Sequence, residues 1–240
     1  MLSFFSGLII AGPLFRVEPV FFLVFVFGVC IGSLVPDVDA EDAAIFHSNV
    51  RGLKGDTGRI LNDFVAPLLP VFGYFTKYVI HRPSVLLFNF FSRNHSVSDT
   101  HREFSHSIIG IVSFTFFTGL YASLILYFTG LLHIALVFFL AGYFAGCVLH
   151  LIQDSCTRSG IAWNSPFSDW KIRGDIYTGK DFRKIRLFTL FLGGLSAVML
   201  FASLTHPLDL SVIQISFLSF TLLGLSWSLF MFFVDAELAR

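Results

Sequence analysis

The sequence predicts an all-α fold, a polytopic integral membrane bundle of about five transmembrane helices with interfacial or re-entrant helices in residues 1–15 and 60–92. Three observations carry this prediction. The 240 residues are 55% hydrophobic, 32 of them are phenylalanine, and the mean hydropathy is +0.77. Charged residues make up 13%, against roughly 25% in a soluble domain. The apolar residues also gather in runs near the length of about 20 residues that crosses a hydrocarbon core. No internal repeat, low-complexity linker or second composition divides the chain, so residues 1–240 are expected to form a single domain.

In chain order, residues 1–15 are too short to span alone, and Pro13 and Pro19 interrupt any continuation. The opening MLSFFSGLIIAG lacks the basic start and small-residue cleavage site of a signal peptide, so the N-terminus is expected to be retained. The first spanning run is Pro19–Val35. Residues 60–92 are apolar but broken by Pro67, Pro70 and Pro83 and by Lys77, His81 and Arg82. That mixture predicts helices lying in the interface, with a buried hairpin as the alternative. Four further runs follow, Ser107–Thr129, Leu131–Ile152, Leu187–Leu204 and Ser211–Val234. With this count, residues 36–106, residues 153–186 and the C-terminal tail share one side. Fifteen of the 16 Lys and Arg lie there, Arg16 being the exception. The excess of positive charge assigns that side to the cytoplasm and the protein to the inner (plasma) membrane.

The formal net charge is zero, so no global basic field draws nucleic acid. The three cysteines, Cys30, Cys147 and Cys156, form no C-x-x-C pair and imply no disulfide framework. Cys156 reads as a small packed residue.

Three clusters of ligand-type side chains fall at span ends on the same side. Asp37 and Asp39 follow Pro36 at the end of the first run. His101 and His106 precede the second, and His150 and Asp154 close the third. Imidazole nitrogen and carboxylate oxygen bind zinc, manganese or iron. His150 and Asp154, four apart, share a helix face, and the same stripe continues back through Gly146 and Gly142. Such small residues let a second helix approach closely. Asp37 and Asp39 share a side only if the chain runs extended after Pro36. His101 and His106 flank a helix start or serve different ions. Each cluster also has a plainer reading: a solvated helix end, a polar anchor at the interface, or a hydrogen bond without metal. Ionisable groups facing a bundle interior are functional by default, and six on three span ends favour a shared site. The candidate metal ligands are therefore Asp37, Asp39, His101, His106, His150 and Asp154.

Taken in order, Pro36-Asp37-Val38-Asp39, His101-Arg102-Glu103-Phe104-Ser105-His106-Ser107 and His150-xxx-Asp154-xx-Thr157-xx-Gly160, followed by Pro166-Phe167-Ser168, resemble a known family. It is the LexA-regulated, membrane-bound, predicted metal-dependent hydrolases (YdjM-like), and the likeness extends from about residue 28 to residue 185. Glu103 stands where that family has Gly, and Ser105 where it has Thr. The resemblance implies a helical membrane domain with a cytoplasmic metal site, distantly similar to zinc-dependent phospholipase C.

Such a site is expected to hydrolyse a phosphoester, with zinc, or manganese or iron, as the cofactor. Asp39 or Glu103 is the candidate general base and Arg102 the candidate phosphate clamp, with Ser105 and Thr157 orienting ligands. Residues 153–186 interleave Arg158, Lys171, Arg173, Lys180, Arg183, Lys184 and Arg186 with Trp163, Trp170 and Tyr177. Beside a membrane this mixture suits anionic lipid head groups better than single-stranded nucleic acid. Membrane lipids are the expected partners and a lipid or lipid-linked phosphoester the expected substrate, entering laterally between spans. The competing functions are a transporter component and a non-catalytic membrane protein whose metal only clamps helix ends.

Overall fold

The computed structural model describes residues 1–40, 43–48, 62–63, 66–92, 104–177, 179–205 and 210–240. Among them the helices are, in order, α1 (Leu2–Ala11), α2 (Pro19–Gly32), α3 (Leu68–Phe75), α4 (Arg82–Phe91), α5 (Ile108–Phe128), α6 (Ala135–Ser155), α7 (Phe182–Thr205) and α8 (Val212–Phe233). Among the described residues, five segments are long and apolar enough to cross a membrane: Pro19–Asp39, Ile108–Phe128, Ala135–Ser155, Phe182–Thr205 and Val212–Phe233. They are the five runs read from the sequence. Pro19 opens α2 where its missing N–H costs nothing. Ser107 caps α5 by accepting the Gly110 N–H, and Ser211 and Gln214 form a reciprocal cap on α8. The helix α7 starts earlier than the sequence run. Its first turns carry Arg183, Lys184 and Arg186, whose stems can lie along apolar surface while the charges stay in water.

Residues 1–15 stand within the bundle, α1 leading into a 3₁₀ stretch over Gly12–Arg16. The Ser3 hydroxyl accepts Gln153 Nε2 at 2.6 Å, near the C-terminal end of α6. At the opposite end, Arg16 donates to the carbonyls of Ser203 and Leu210 at 2.9 and 2.7 Å, and to that of Ala202. The segment therefore reaches from one end of the bundle toward the other, packed on α7 and α8. Two carbonyls at the C-terminus of α7 and the Leu210 carbonyl just before α8 satisfy a guanidinium that would otherwise be costly this close to lipid.

In residues 60–92, the described run 68–91 is one helical stretch. Pro83 lacks an N–H and clashes with the preceding turn. A π-helical turn over Thr76–His81 absorbs that misfit between α3 and α4. Ile80 and Val85 pack inward beside Val35, Phe104 and Phe114, while Leu68, Val71, Leu86 and Phe90 are exposed.

The closest helix contact joins α2 to α6. Gly28 and Gly32 on α2 meet Gly142 and Gly146 on α6. A β-carbon at Gly32 would land on the Tyr143 carbonyl, and one at Gly142 on the Phe25 carbonyl. Only backbone fits between these helices, the small-xxx-small geometry of membrane interiors. The sequence reading singled out Gly142 and Gly146. Gly28-xxx-Gly32, their partner on α2, carries the same pattern.

At the other end of α6 the chain folds back on itself. Gly160 has φ +56, and a β-carbon there would crowd the Ile172 carbonyl and Arg173. Ile161 and Ile172 exchange backbone hydrogen bonds at 3.0 Å each way. A short strand β1 (Lys171–Arg173) then pairs antiparallel with β2 (Glu237–Ala239), Ile172 opposite Leu238. That pairing puts the loop after α6 and the C-terminal tail on one side of the bundle, as the sequence required.

Substituting Gly32→Ala should destabilise the protein by about 1–3 kcal/mol, because the added methyl forces backbone against backbone. Gly194→Ala, where a β-carbon meets nothing within 4 Å, should be neutral or stabilising. Thermal melts of both variants in detergent check the contrast.

Candidate metal centre

After α2 the backbone does not run extended, as sharing a side had required of Asp37 and Asp39. Pro36 at the first position seeds a 3₁₀ turn, Pro36–Asp39, with Val35 and Val38 fully buried beneath it. The turn sends the two carboxylates in different directions. Asp37 Oδ1 lies 3.6 Å from His106 Nε2 and 3.5 Å from His150 Nε2. Asp39 Oδ2 instead accepts the Ser105 hydroxyl at 2.6 Å and lies 4.0 Å from His106 Nδ1. The sequence reading placed Asp39 beside Asp37 among the direct ligands. The structure puts it on the opposite edge of the imidazole.

His106 is held by the approach to α5. Ser105, His106 and Ser107 are all fully buried, and Ser107 donates to the Phe104 carbonyl at 2.8 Å while capping the helix. A β-carbon at Gly110 would strike that same Phe104 carbonyl, so the tight entry needs glycine there. The Ile108 N–H reaches the Trp163 carbonyl at 2.9 Å, and Trp163 Nε1 donates to Ser155 at 2.8 Å. The indole of Trp163 thus braces α6, while Trp170 and Tyr177 are exposed.

His150 is delivered by the glycine contact. With α2 and α6 in backbone contact, His150 Nδ1 comes 2.8 Å from the Ser33 carbonyl at the end of α2. Asp154, one turn on, aims Oδ2 at His106 Nε2 (3.3 Å) and at His150 Nε2 (3.7 Å). The Thr157 hydroxyl bonds the Asp154 main-chain carbonyl at 2.7 Å and Ser159, leaving the carboxylate to the site.

The hydrogen bonds assign the protons. A carbonyl oxygen only accepts, so His150 Nδ1 carries hydrogen. The Ser105 hydroxyl donates to Asp39, so its oxygen accepts from His106 Nδ1, 2.9 Å away. In both neutral imidazoles Nε2 is then a bare lone pair. The two Nε2 atoms face two carboxylate oxygens at 3.3–3.7 Å. Lone pairs facing one another across these gaps repel unless a cation lies between them. Ligands about 2.0–2.2 Å from a zinc ion stand roughly 3.4 Å apart in a tetrahedron, close to these four nitrogen–oxygen gaps. Asp37, His106 and His150 form a group able to hold a metal ion, their donor atoms all within 4.8 Å of one another. His150 Nε2 is buried without a hydrogen-bond partner. The donor set therefore fits a divalent ion.

Burial by itself would lower the His106 pKa. The carboxylates of Asp154 and Asp37 outweigh it and hold the imidazole above its ordinary value. A proton is thus the competitor of a metal at this site. Cys156 stands outside this group: its Sγ points to the Ile152 carbonyl at 3.4 Å, and burial, and secondarily the charge of Asp154, push its thiol up to about 12. His101, Arg102 and Glu103 lie outside the described residues.

Comparison with known proteins gives one family. The model of the YdjM inner membrane protein family matches residues 2–232. No curated protein and no solved structure matches the chain.

Removing the Ser105 hydroxyl should weaken zinc binding by roughly 10–100-fold, since His106 loses the group that orients it. Thr157→Val, which touches only main chain and Ser159, should cost less. Zinc affinity should also rise with pH from about 6 to about 8, as the raised His106 pKa means that a proton must leave before a metal can bind. Competition titration against a zinc dye at several pH values measures all three effects.

Proposed function

Because the chain belongs to the YdjM inner membrane protein family, and because side chains from three distant segments converge at one end of its bundle, we propose that it is a membrane-embedded, metal-dependent hydrolase of a phosphoester. The observation that carries the reading is the four-atom set of Asp37 Oδ1, His106 Nε2, His150 Nε2 and Asp154 Oδ2, alternating imidazole and carboxylate at 3.3–3.7 Å. These four residues would hold the ion. Nitrogen and oxygen donors without thiolate suit zinc first, then manganese or iron. A divalent ion in this position supplies Lewis-acid polarisation of a phosphoryl oxygen and an acidified water.

The chain's own residues do the rest. Asp39 acts through Ser105 as a positioning residue, holding the His106 tautomer. Its engagement there leaves Glu103 as the better candidate for the proton acceptor, with Arg102 as the phosphate clamp and His101 as a further ligand. The side chain of Asp37 is 41% exposed while that of His106 is fully buried. The site is therefore open on the Asp37 side, which favours an ion meeting solvent and substrate over one that only staples helix ends. A conducting role is disfavoured, since the donors stand at span ends and the middles of the five spans carry no charged residue. The positive-charge bias places this end at the cytoplasmic face.

Purified protein should carry near-stoichiometric zinc, manganese or iron, and both Asp37→Ala and His150→Ala should lose it. Unchanged metal content in those variants would falsify the ligand set. The metal-loaded protein should cleave phosphoesters in a screen of phospholipids, lipid diphosphates and soluble phosphodiesters, and chelation should abolish that activity. Metal retained with no turnover on any class would instead assign the ion a structural role. A reporter fused after Arg240 should signal from the cytoplasm, and an external signal would reverse the orientation.

A further inference from the structure

On the lipid-facing side of the bundle, α1 stands between α6 and α8 and leaves a cleft of about 480 Å³. Ile10 lies in it with Phe144 and Leu149 of α6 and Phe220, Gly224 and Trp227 of α8. Its lining is almost wholly apolar, and Phe144 and Phe220 are exposed at 38% and 58%. The cleft runs from Phe144 to Ile152 on α6 and from Phe220 to Met231 on α8. At 1.5 Å per residue that is about 12–17 Å, one leaflet's share of a hydrocarbon core about 30 Å thick. Both helices approach the metal-centre end over these residues, so the leaflet is the one on the site's side.

A single side chain stands between the cleft and the site. Trp227 also lines a slot of about 190 Å³ formed with Gln153, Asp154, Ile176, Ile185 and Phe230. Asp154 is shared between that slot and the His106 and His150 side chains. Next to Ile185 and Phe230, Arg183 and Lys184 border a further apolar groove, Lys184 lying over the Phe233 ring at 5.7 Å. Hydrocarbon in the depth, an acidic metal-ligand set at the end and cations at the head-group level match one kind of occupant. We propose that the cleft between α6 and α8 seats one acyl chain of a phosphate-bearing lipid from the site-side leaflet, with the head group delivered to the Asp154 end. Its catalytic consequence rests on the phosphoesterase reading, whereas the seating of the chain stands on the cleft alone.

Gly224 offers a direct test. A β-carbon there meets nothing within 4 Å, and the same holds at Gly194 on α7, which lies outside the cleft. Gly224→Leu therefore fills the cleft without strain, and Gly194→Leu is its control. The full chain is reconstituted in vesicles of phosphatidylglycerol brominated at mid-chain, and tryptophan fluorescence is read. Trp163 and Trp170 lie outside the five spans, and Trp227 is 5% exposed on the cleft wall, so bromine seated in the cleft quenches it most strongly. Quenching is expected in the wild type and in Gly194→Leu, with loss in Gly224→Leu. Equal quenching in all three, or none in the wild type, overturns the proposal. Disulfide cross-linking between copies carrying Gly224→Cys also overturns it, by assigning the cleft to a second copy. Metal content and hydrolysis of a soluble phosphoester are measured on the same samples. Cleft-dependent quenching without metal sinks the hydrolase and keeps the seat. Metal and hydrolysis with quenching indifferent to Gly224 does the reverse.

Discussion

The site depends on how closely α2 and α6 approach. Four glycines, Gly28 and Gly32 against Gly142 and Gly146, remove the side-chain layer between them. Two consequences follow at the end of the pair. The last turn of α2 comes within hydrogen-bonding distance of His150 through the Ser33 carbonyl. The 3₁₀ turn after it swings Asp37 over both imidazoles. A helix pair spaced by ordinary side chains sits 8–10 Å axis to axis; with only backbone between α2 and α6, Asp37 stands 3.5 Å from His150. In a bilayer, where hydrophobicity does not drive helices together, such backbone contact is a main source of association. The same contact therefore holds the bundle and sets the site.

Around that contact, protons and charges are arranged with little slack. Each imidazole has its Nδ1 committed, one to a main-chain carbonyl and one to a hydroxyl that is itself engaged by Asp39. The commitments come from different elements, α2 for His150 and the approach to α5 for His106. They leave both Nε2 atoms pointing into one space with the carboxylates. A half-buried carboxylate–imidazole cluster of this kind costs desolvation, and a shared cation, whether metal or proton, offsets it. The loop after α6 adds rigidity from outside, through Trp163 on Ser155 and the β1–β2 pair that ties it to the C-terminal tail.

The lipid-facing surface is less uniform than five apolar helices would suggest. Where α2 and α6 close completely, α6 and α8 stay apart with α1 between them. A short helix pinned at both ends, by Ser3 on Gln153 and by Arg16 on the carbonyls of the α7–α8 end, keeps that separation. Its position explains why a segment too short to span alone belongs to the bundle and not to its surface.

Composition and run length were enough to establish from sequence the membrane bundle and its five long spans, because burial in lipid tolerates little else. His150 and Asp154 on one face, and the small-residue stripe behind them, were legible as well, since a helix repeats its geometry at every turn. What spacing could not reach was decided by tertiary contact. The partner of the stripe was Gly28 and Gly32, and α1 joined the bundle upright. Asp37 and Asp39 parted because Pro36 began a tight turn instead of an extended strand, which set Asp39 behind His106 instead of beside Asp37. Ser33 carries its role in a main-chain carbonyl, which no side-chain pattern announces. Local repeats determine which faces exist. Which faces meet, and which nitrogen of a histidine is left bare, depends on partners more than a hundred residues away in the chain for His150 and 66 away for the Ser105–Asp39 bond.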